Sequence, residues 1–550
     1  MKLRLFYLTL FFLMTFQGLS GQNIEDIQKG KANFSINSSI SLTGGTYMHW
    51  GTSMGRNNPY IWNLNGTVSF SLFGIQFPFS FNLGPQQRGF TQPFNQYGVS
   101  PYWKWIKLHG GWRSMNFSPY VMQGMSFLGG GIELTPKNFR FGAFYGRINK
   151  ATPNDTSRVY YPLSVFDRWA YGVKIGAGNS KNYFDVMVLK SRDDTTSKKT
   201  PGRPVLPGQD NLVAGIGAQV TFLKNVVFKL DVAASLLTND VGSTLASPFS
   251  NSVNLGSFMK TNATTTLLFA GESSLGYQGR NFGLRFLYSR TDPNFTSHGI
   301  MYRQGDLESY TLEPRFSFWK GKIRFFGSIG AQHDNVNGNK AFTSWRTIGS
   351  ANLSLNPVPQ YGLDLNFSNY GLTQRAGTMA LNDTFRIAQN NRTYGLTQRL
   401  SFNNKVRSIN IMMNGTYQQL INLNRFFPAN GSSDVIFGSV NFSYTHFKSN
   451  LSANVGASTT KTQFGTQQIF LIGPSLGFTV GFMKNKMNVN LGGSYNMSLT
   501  DGSITGNTTS ANLGWNYRID KTNTLMLMGY FLNNVLPGTL YDNITELRIM

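Results

Sequence analysis

The chain has no cysteine in its 550 residues. That excludes disulfides, thiolate metal sites and a lipid-modified cysteine at a mature N-terminus, and with the last a surface lipoprotein. Charge is scarce as well: Asp, Glu, Lys and Arg together make up 13% of the residues, where a soluble globular protein carries about 25%. Beyond the N-terminus no apolar run reaches the roughly eighteen residues that a helical membrane span needs. No linker, low-complexity run or helical period divides the chain into separate soluble domains.

What is present is a moderate hydrophobic fraction of 40%, with 14% aromatics and 59 glycines. Low charge without high hydropathy suits a sheet with one face on lipid and an uncharged polar face inside. The net charge of +25 is spread singly over strands and turns. It therefore suits anionic lipid head groups or anionic solutes, and nucleic acid is not expected as a partner.

Met1-Lys2-Leu3-Arg4, an apolar stretch from Leu5 to Phe16 and the small-residue exit Gly18-Leu19-Ser20-Gly21 make a secretory signal peptide over 1–21. A short periplasmic lead over 22–31 follows, and residues 32–550 are expected to form the barrel. That lead leaves no room for the globular plug that precedes the barrel in energy-coupled uptake receptors.

The segment after Tyr60 sets the pattern. Trp62, Leu64, Val68, Phe70 and Leu72 alternate with Asn63, Asn65, Thr67, Ser69 and Ser71. After Phe73-Gly74 the apolar set moves to Ile75, Phe77, Phe79, Phe81 and Leu83. Side chains of a strand point to alternate faces, so this is a hairpin with one greasy and one polar face. The unit recurs about every 40 residues by the same strand-and-turn signals. Short turns are expected at Phe73-Gly74, Pro136 to Asn138, Asn179 to Asn182, Leu223 to Asn225, Gln278 to Asn281 and Trp319 to Gly321. Others are expected at Pro357 to Gln360, Asn403 to Lys405, Phe447-Lys448, Lys484 to Lys486 and Asp520 to Asn523. Longer segments lie between, including 149–167, 193–211, 239–262, 372–391 and 422–434.

The fold class expected is all-β: a closed antiparallel transmembrane β-barrel of about 24–26 strands, with short periplasmic turns and longer extracellular loops. The higher count requires a turn at Trp103-Lys104-Trp105. Closure is obligatory, because lipid offers no hydrogen bond to an open strand edge. Trp103, Trp105, Trp169, Trp319, Trp345 and Trp515 near strand ends suit interfacial girdles. The expected location is the outer membrane of a Gram-negative cell.

Where alternation is clean, the inward positions include Arg140, Lys174, Lys229, Arg285, Arg315 and Arg324, against the acids Asp185, Asp231, Glu313 and Asp364. Two readings stay open: a cationic lumen that attracts anionic solutes, or a structural lattice that pairs Lys229 with Asp231 and Arg315 with Glu313.

Gly51-Thr52-Ser53-Met54-Gly55 matches the nucleophile-elbow string, but that motif needs a strand running into a helix. The five histidines, at 49, 109, 298, 333 and 446, show no metal-ligand spacing. The sequence calls for no cofactor, metal or catalytic residue, and an enzyme is not expected.

Several strings give a resemblance. Tyr97-Gly98-Val99-Ser100-Pro101, Trp105-Ile106-Lys107-Leu108-His109, Asn116-Phe117-Ser118-Pro119 and Gly129-Gly130-Gly131-Ile132-Glu133-Leu134 resemble large outer-membrane barrels of Bacteroidota. Tyr288-Ser289-Arg290-Thr291-Asp292-Pro293 and the segment from Arg346 to Leu353 are similar to them too. The resemblance implies location and architecture and carries no site residues across.

Three functions follow in order. The first is a porin-like channel, passive or gated by a separate plug or envelope protein, with inward-folding loops or that partner occluding a wide lumen. The second is a non-conducting scaffold in an export or surface-assembly complex. The third is a hydrolase at the outer rim using Ser53 or a histidine.

Overall fold

The computed structural model describes residues 34–51, 59–72, 74–85, 96–151, 165–197, 207–246, 258–259, 261–376, 378, 387–424, 432–536 and 544–550. The expected signal peptide and lead lie outside the described residues, as does Ser53.

A closed antiparallel β-barrel of 26 strands forms the wall. Each strand pairs with its sequence neighbour, from Ser35–Gly51 against Tyr60–Leu72 onward. The last strand, Ile544–Ile549, pairs with Gly529 to Asn534 on one side and with Thr46 to Gly51 of the first strand on the other.

The turn at Trp103-Lys104-Trp105 is present: Tyr102 and Trp103 pair with Lys107 and Ile106, and Lys104 has φ 51°. The higher strand count follows. The strand leading into it is broken into Gln96–Val99 and Tyr102–Trp103. The break falls at Pro101, which has no N–H for the ladder.

The other short turns fall where the alternation places them; of the first, Gly74 is described and Phe73 lies outside the described residues. Several use ordinary side chains in the left-handed region: Leu223 and Lys224 (φ 49° and 64°), Trp319 and Lys320 (52° and 54°), Met483 and Lys484 (51° and 56°). Such turns match the twist of paired strands, which offsets a local cost of about 1 kcal/mol per residue. The asymmetry between the two ends has exceptions. Phe464 and Gln467, and likewise Thr500 and Ser503, are joined by tight connections at the long-loop end, using Gly465 (φ 58°) and Gly502 (φ 84°).

Register carries the two faces around the barrel, with local shifts only at Arg168–Trp169, between Leu355 and Val358, and at Ser498–Leu499. Phe79 opposes Val68, Leu476 opposes Val455, and Leu513 opposes Leu491 on the outer face. These side chains stay exposed because their partner is lipid; Leu491 is 54% and Val455 50% accessible. Tyr145 stacks on Trp169 at 5.5 Å near the long-loop end, and Trp515 on Tyr517 at 5.9 Å near the short turns. The aromatics thus form two girdles.

Candidate functional site

The lumen is packed along one side by two segments of the chain. The connections 115–125 and 292–306 both leave the sheet at the long-loop end and fold back inside. They join as one body: Met122–Gln123 pairs in parallel with Gly299–Ile300, and the Ser297 hydroxyl donates to the Val121 carbonyl at 2.7 Å. Arg303 lies over the Tyr120 ring at 3.7 Å and donates to its hydroxyl at 2.6 Å.

The wall beneath this insert is paved with glycine, which lets it approach. A Cβ on Gly131 would sit 2.8 Å from the Met115 sulfur, on Gly172 2.9 Å from the Phe117 ring, and on Gly215 2.5 Å from Val121. Tyr120, Val121, Met122 and Phe127 are fully buried. Polar ties fix the edges. The Tyr120 hydroxyl donates to Glu272 at 3.4 Å, the His298 ring bonds Ser191 at 2.7 Å, and the His298 amide donates to Asn211 at 3.1 Å.

All six basic residues expected inside face the lumen by register, but they are not one cationic patch. Arg140 grips Asp185 through two bonds of 2.8 and 2.9 Å. Lys229 reaches Asp231 at 2.7 Å and Glu272 at 3.3 Å. Arg285, not Arg315, holds Glu313, at 2.6 Å. This corrects the expected Arg315–Glu313 pair: Arg285 is directly opposite Glu313 across the ladder, closer than a neighbour two residues along one strand. Arg315 instead lies across Gly283. Among the described residues Lys174, Arg315 and Arg324 make no ion pair. Lys174 donates to the Asn116 carbonyl of the insert at 3.4 Å and lies over Phe117, and Arg324 donates to the Gly321 carbonyl at 3.0 Å.

Asp364 is met by Arg399 at 3.7 Å. The lattice reading and the cationic reading therefore each hold for half of the set.

At the open end, Asp306 closes the insert and pairs with Lys340 of the next loop. Burial pushes the Asp306 carboxyl up, but hydrogen bonds from Lys340 and from the Val336 and Asn335 amides outweigh it and leave the pKa below the usual value. The same bond holds the Lys340 pKa above its usual value.

One constellation was not legible in the sequence. Ser100, His109 and Glu133 form a hydrogen-bonded chain on the inner wall, with Ser100 Oγ 3.1 Å from His109 Nδ1 and His109 Nε2 2.7 Å from Glu133. Glu133 also holds Lys107 at 3.0 Å, and the Ser100 amide is spent on the Pro78 carbonyl. No local spacing announces it, because Ser100 lies in the break before Pro101 and His109 and Glu133 come from two further strands. Among the described residues no group of three side chains could hold a metal ion.

Wall and insert together define a transmembrane β-barrel with a half-packed lumen. No family model matches the chain, and no curated protein is significantly similar in sequence. Solved barrels align with it distantly. OccAB4 of Acinetobacter baumannii is 12% identical, with 70% of this chain and 96% of that one covered at a TM-score of 0.29. OccK9 (OpdG) of Pseudomonas aeruginosa is 10% identical, covering 75% and 94%, at 0.30. The FrpB iron transporter of Neisseria meningitidis is 12% identical, covering 77% and 80%, at 0.33. Likeness at this level says nothing of what passes through the present barrel.

Proposed function

We propose that this chain is an outer-membrane channel of porin type, one of the large barrels of Bacteroidota that its motifs resemble. In this reading its short turns are periplasmic and its own insert narrows the lumen. The observation that carries the reading is the division of the inner face. The insert covers one arc of wall, and the described residues leave the opposite arc, lined by amides and hydroxyls, uncovered. A sheet with a lipid-facing exterior and a solvated interior is built to let water and solutes through. A separate envelope protein closing the remaining space belongs to the same proposal.

The preference for anions rests on Lys174, Arg315 and Arg324, three inward cations without a carboxylate partner among the described residues. Focused charge in a low-dielectric tube selects by sign. The test is the reversal potential of purified protein in a planar bilayer under a salt gradient. The expected result is discrete conductance with anion preference, lost or inverted in the triple variant Lys174→Glu, Arg315→Glu, Arg324→Glu. Conductance equal for both signs in the parent protein removes the anion claim.

The insert also favours the second reading, a scaffold that conducts nothing, since its polar edges are tied to the wall. A bilayer that stays silent, with stable copurification of envelope partners, would establish that reading over the first.

A further inference from the structure

The uncovered arc has a local composition that general solvation of a pore does not require. Three adjacent strands near the short-turn end, Met487–Thr500, Ser503–Arg518 and Thr524–Val535, bring inward-facing residues together in rows. Asn488 opposes Asn516, and Asn516 opposes Met526. Asn490 opposes Gly514, and Gly514 opposes Met528. Gly492 opposes Asn512, and Asn512 opposes Tyr530. The patch spans about 14 Å along the strands and about 10 Å across them, from the ordinary strand rise and spacing.

Its chemistry has two parts. Asn488, Asn490, Asn512 and Asn516 make no side-chain hydrogen bond among the described residues. Each amide thus offers two donors and an acceptor to the lumen. Some polar groups on the same arc satisfy one another, as Ser494 with Ser510 at 2.8 Å and Thr508 with Asn534 at 2.7 Å, while Asn441, Asn454 and Asn496 are open like these four; what sets the patch apart is the apolar strip beside it. Beside the open amides, Met526, Met528 and Tyr530 are 52%, 40% and 37% accessible on a face that should be polar throughout. The inward positions from Asn454 through Asn516 carry no charge; the nearest inward charges are Arg518 beyond Asn516 and Arg548, which lies opposite Tyr530 and pairs with Glu546 at 3.3 Å.

Unengaged amides flanking an apolar strip with one ring match a molecule that has uncharged hydroxyls on its edge and C–H groups on its face. We propose that this patch is a binding site for neutral oligosaccharide, two or three pyranose rings long. The hydroxyls exchange donors and acceptors with the four asparagines, and a sugar face rests on Tyr530 and the methionines. The inference rests on the channel reading for its route and names a solute class for it. The charged insert side and this amide-lined patch then serve different solutes.

The probe is maltotriose, titrated by calorimetry into the protein in a detergent without a sugar head group. Saturable binding is expected. Loss of the ring in Tyr530→Ala should weaken it about fivefold, from an aromatic contact of about 1 kcal/mol. Tyr530→Phe, which keeps the ring, should retain it. Asn512→Asp, nearly isosteric and safe for folding, should weaken it as well. A polyethylene glycol of matched size and an uncharged tripeptide amide are the comparisons. Absence of maltotriose binding overturns the proposal, as does equal binding of either comparison, or indifference to both Tyr530→Ala and Asn512→Asp. Binding with a silent bilayer defeats the channel reading alone; conductance without binding defeats this site alone.

Discussion

At the scale of single residues, the lumen is organised by side chains that are missing. Gly172 faces inward, where a Cβ would lie 2.5 Å from the Phe144 ring and 2.9 Å from Phe117. Phe144 and Phe117 pack edge to face at 5.9 Å, so neither ring can yield without disturbing the other. Gly172→Val is therefore expected to cost about 1–3 kcal/mol through overpacking. Because the wall is held by ladder hydrogen bonds on both edges, the insert should move before the strand does. The readout is twofold: a lower thermal midpoint in detergent and faster proteolysis within 115–125, with the sheet signal in circular dichroism unchanged. A variant as stable and as protected as the parent would show that the insert has slack at this point.

At the scale of elements, the insert is tied to its surroundings by a contact that titrates. The Asp306 carboxyl is held below its usual value of 3.8, so its contribution is fully present above that value and is lost only as pH falls through the lower folded pKa. Lys340 is 52% accessible, so solvent screening keeps the contribution small, within the usual range of about 0–1 kcal/mol for exposed pairs. Hydrogen exchange of the Val336 and Asn335 amides should thus be flat from neutrality down to about pH 4 once the intrinsic exchange rate is removed. It should rise in more acid solution, and Asp306→Asn should abolish the rise. A rise centred near neutrality would point to another group.

Elements differ in how far sequence reveals them. Strands and short turns were legible because a two-residue period survives in any sequence whose faces meet different solvents. The insert was not, because its apolar residues, Phe117, Tyr120, Val121 and Met122, follow no strand or helix period. Their meaning depends on glycines in other strands. The same blindness hid the Ser100–His109–Glu133 chain and misassigned Glu313 to Arg315, since partners across a ladder are distant in sequence. Yet Asn116 to Pro119, Gly129 to Leu134 and Thr291 to Pro293, which carried the resemblance to other barrels, belong to the insert and the wall it touches.

At the scale of the whole molecule, the decisive arrangement is an asymmetric tube. The insert and most of the inward ion pairs occupy one arc, while amides and hydroxyls dominate the other, and both depend on the strands keeping their register. A one-residue slip of the strand Phe139–Asn149 or Val226–Thr238 would exchange its faces and put Arg140 or Asp231 into lipid. The cysteine-free sequence makes the arrangement directly measurable, since any introduced cysteine is the sole thiol. Single cysteines at Lys137, Lys224 and Lys320, all in short turns, should react with an impermeant maleimide only after the outer membrane is opened. A cysteine at Asn337, in the loop after Ile323–His333, should react on intact cells. Thr416→Cys, inward by register, should react with a small reagent in water. Ile411→Cys, outward on the same strand, should react only with a lipid-soluble one. Reversal of the first two patterns would invert the barrel in the membrane and leave the fold intact. Reversal of the last two would mean that the faces themselves have been exchanged, and the lumen described above with them.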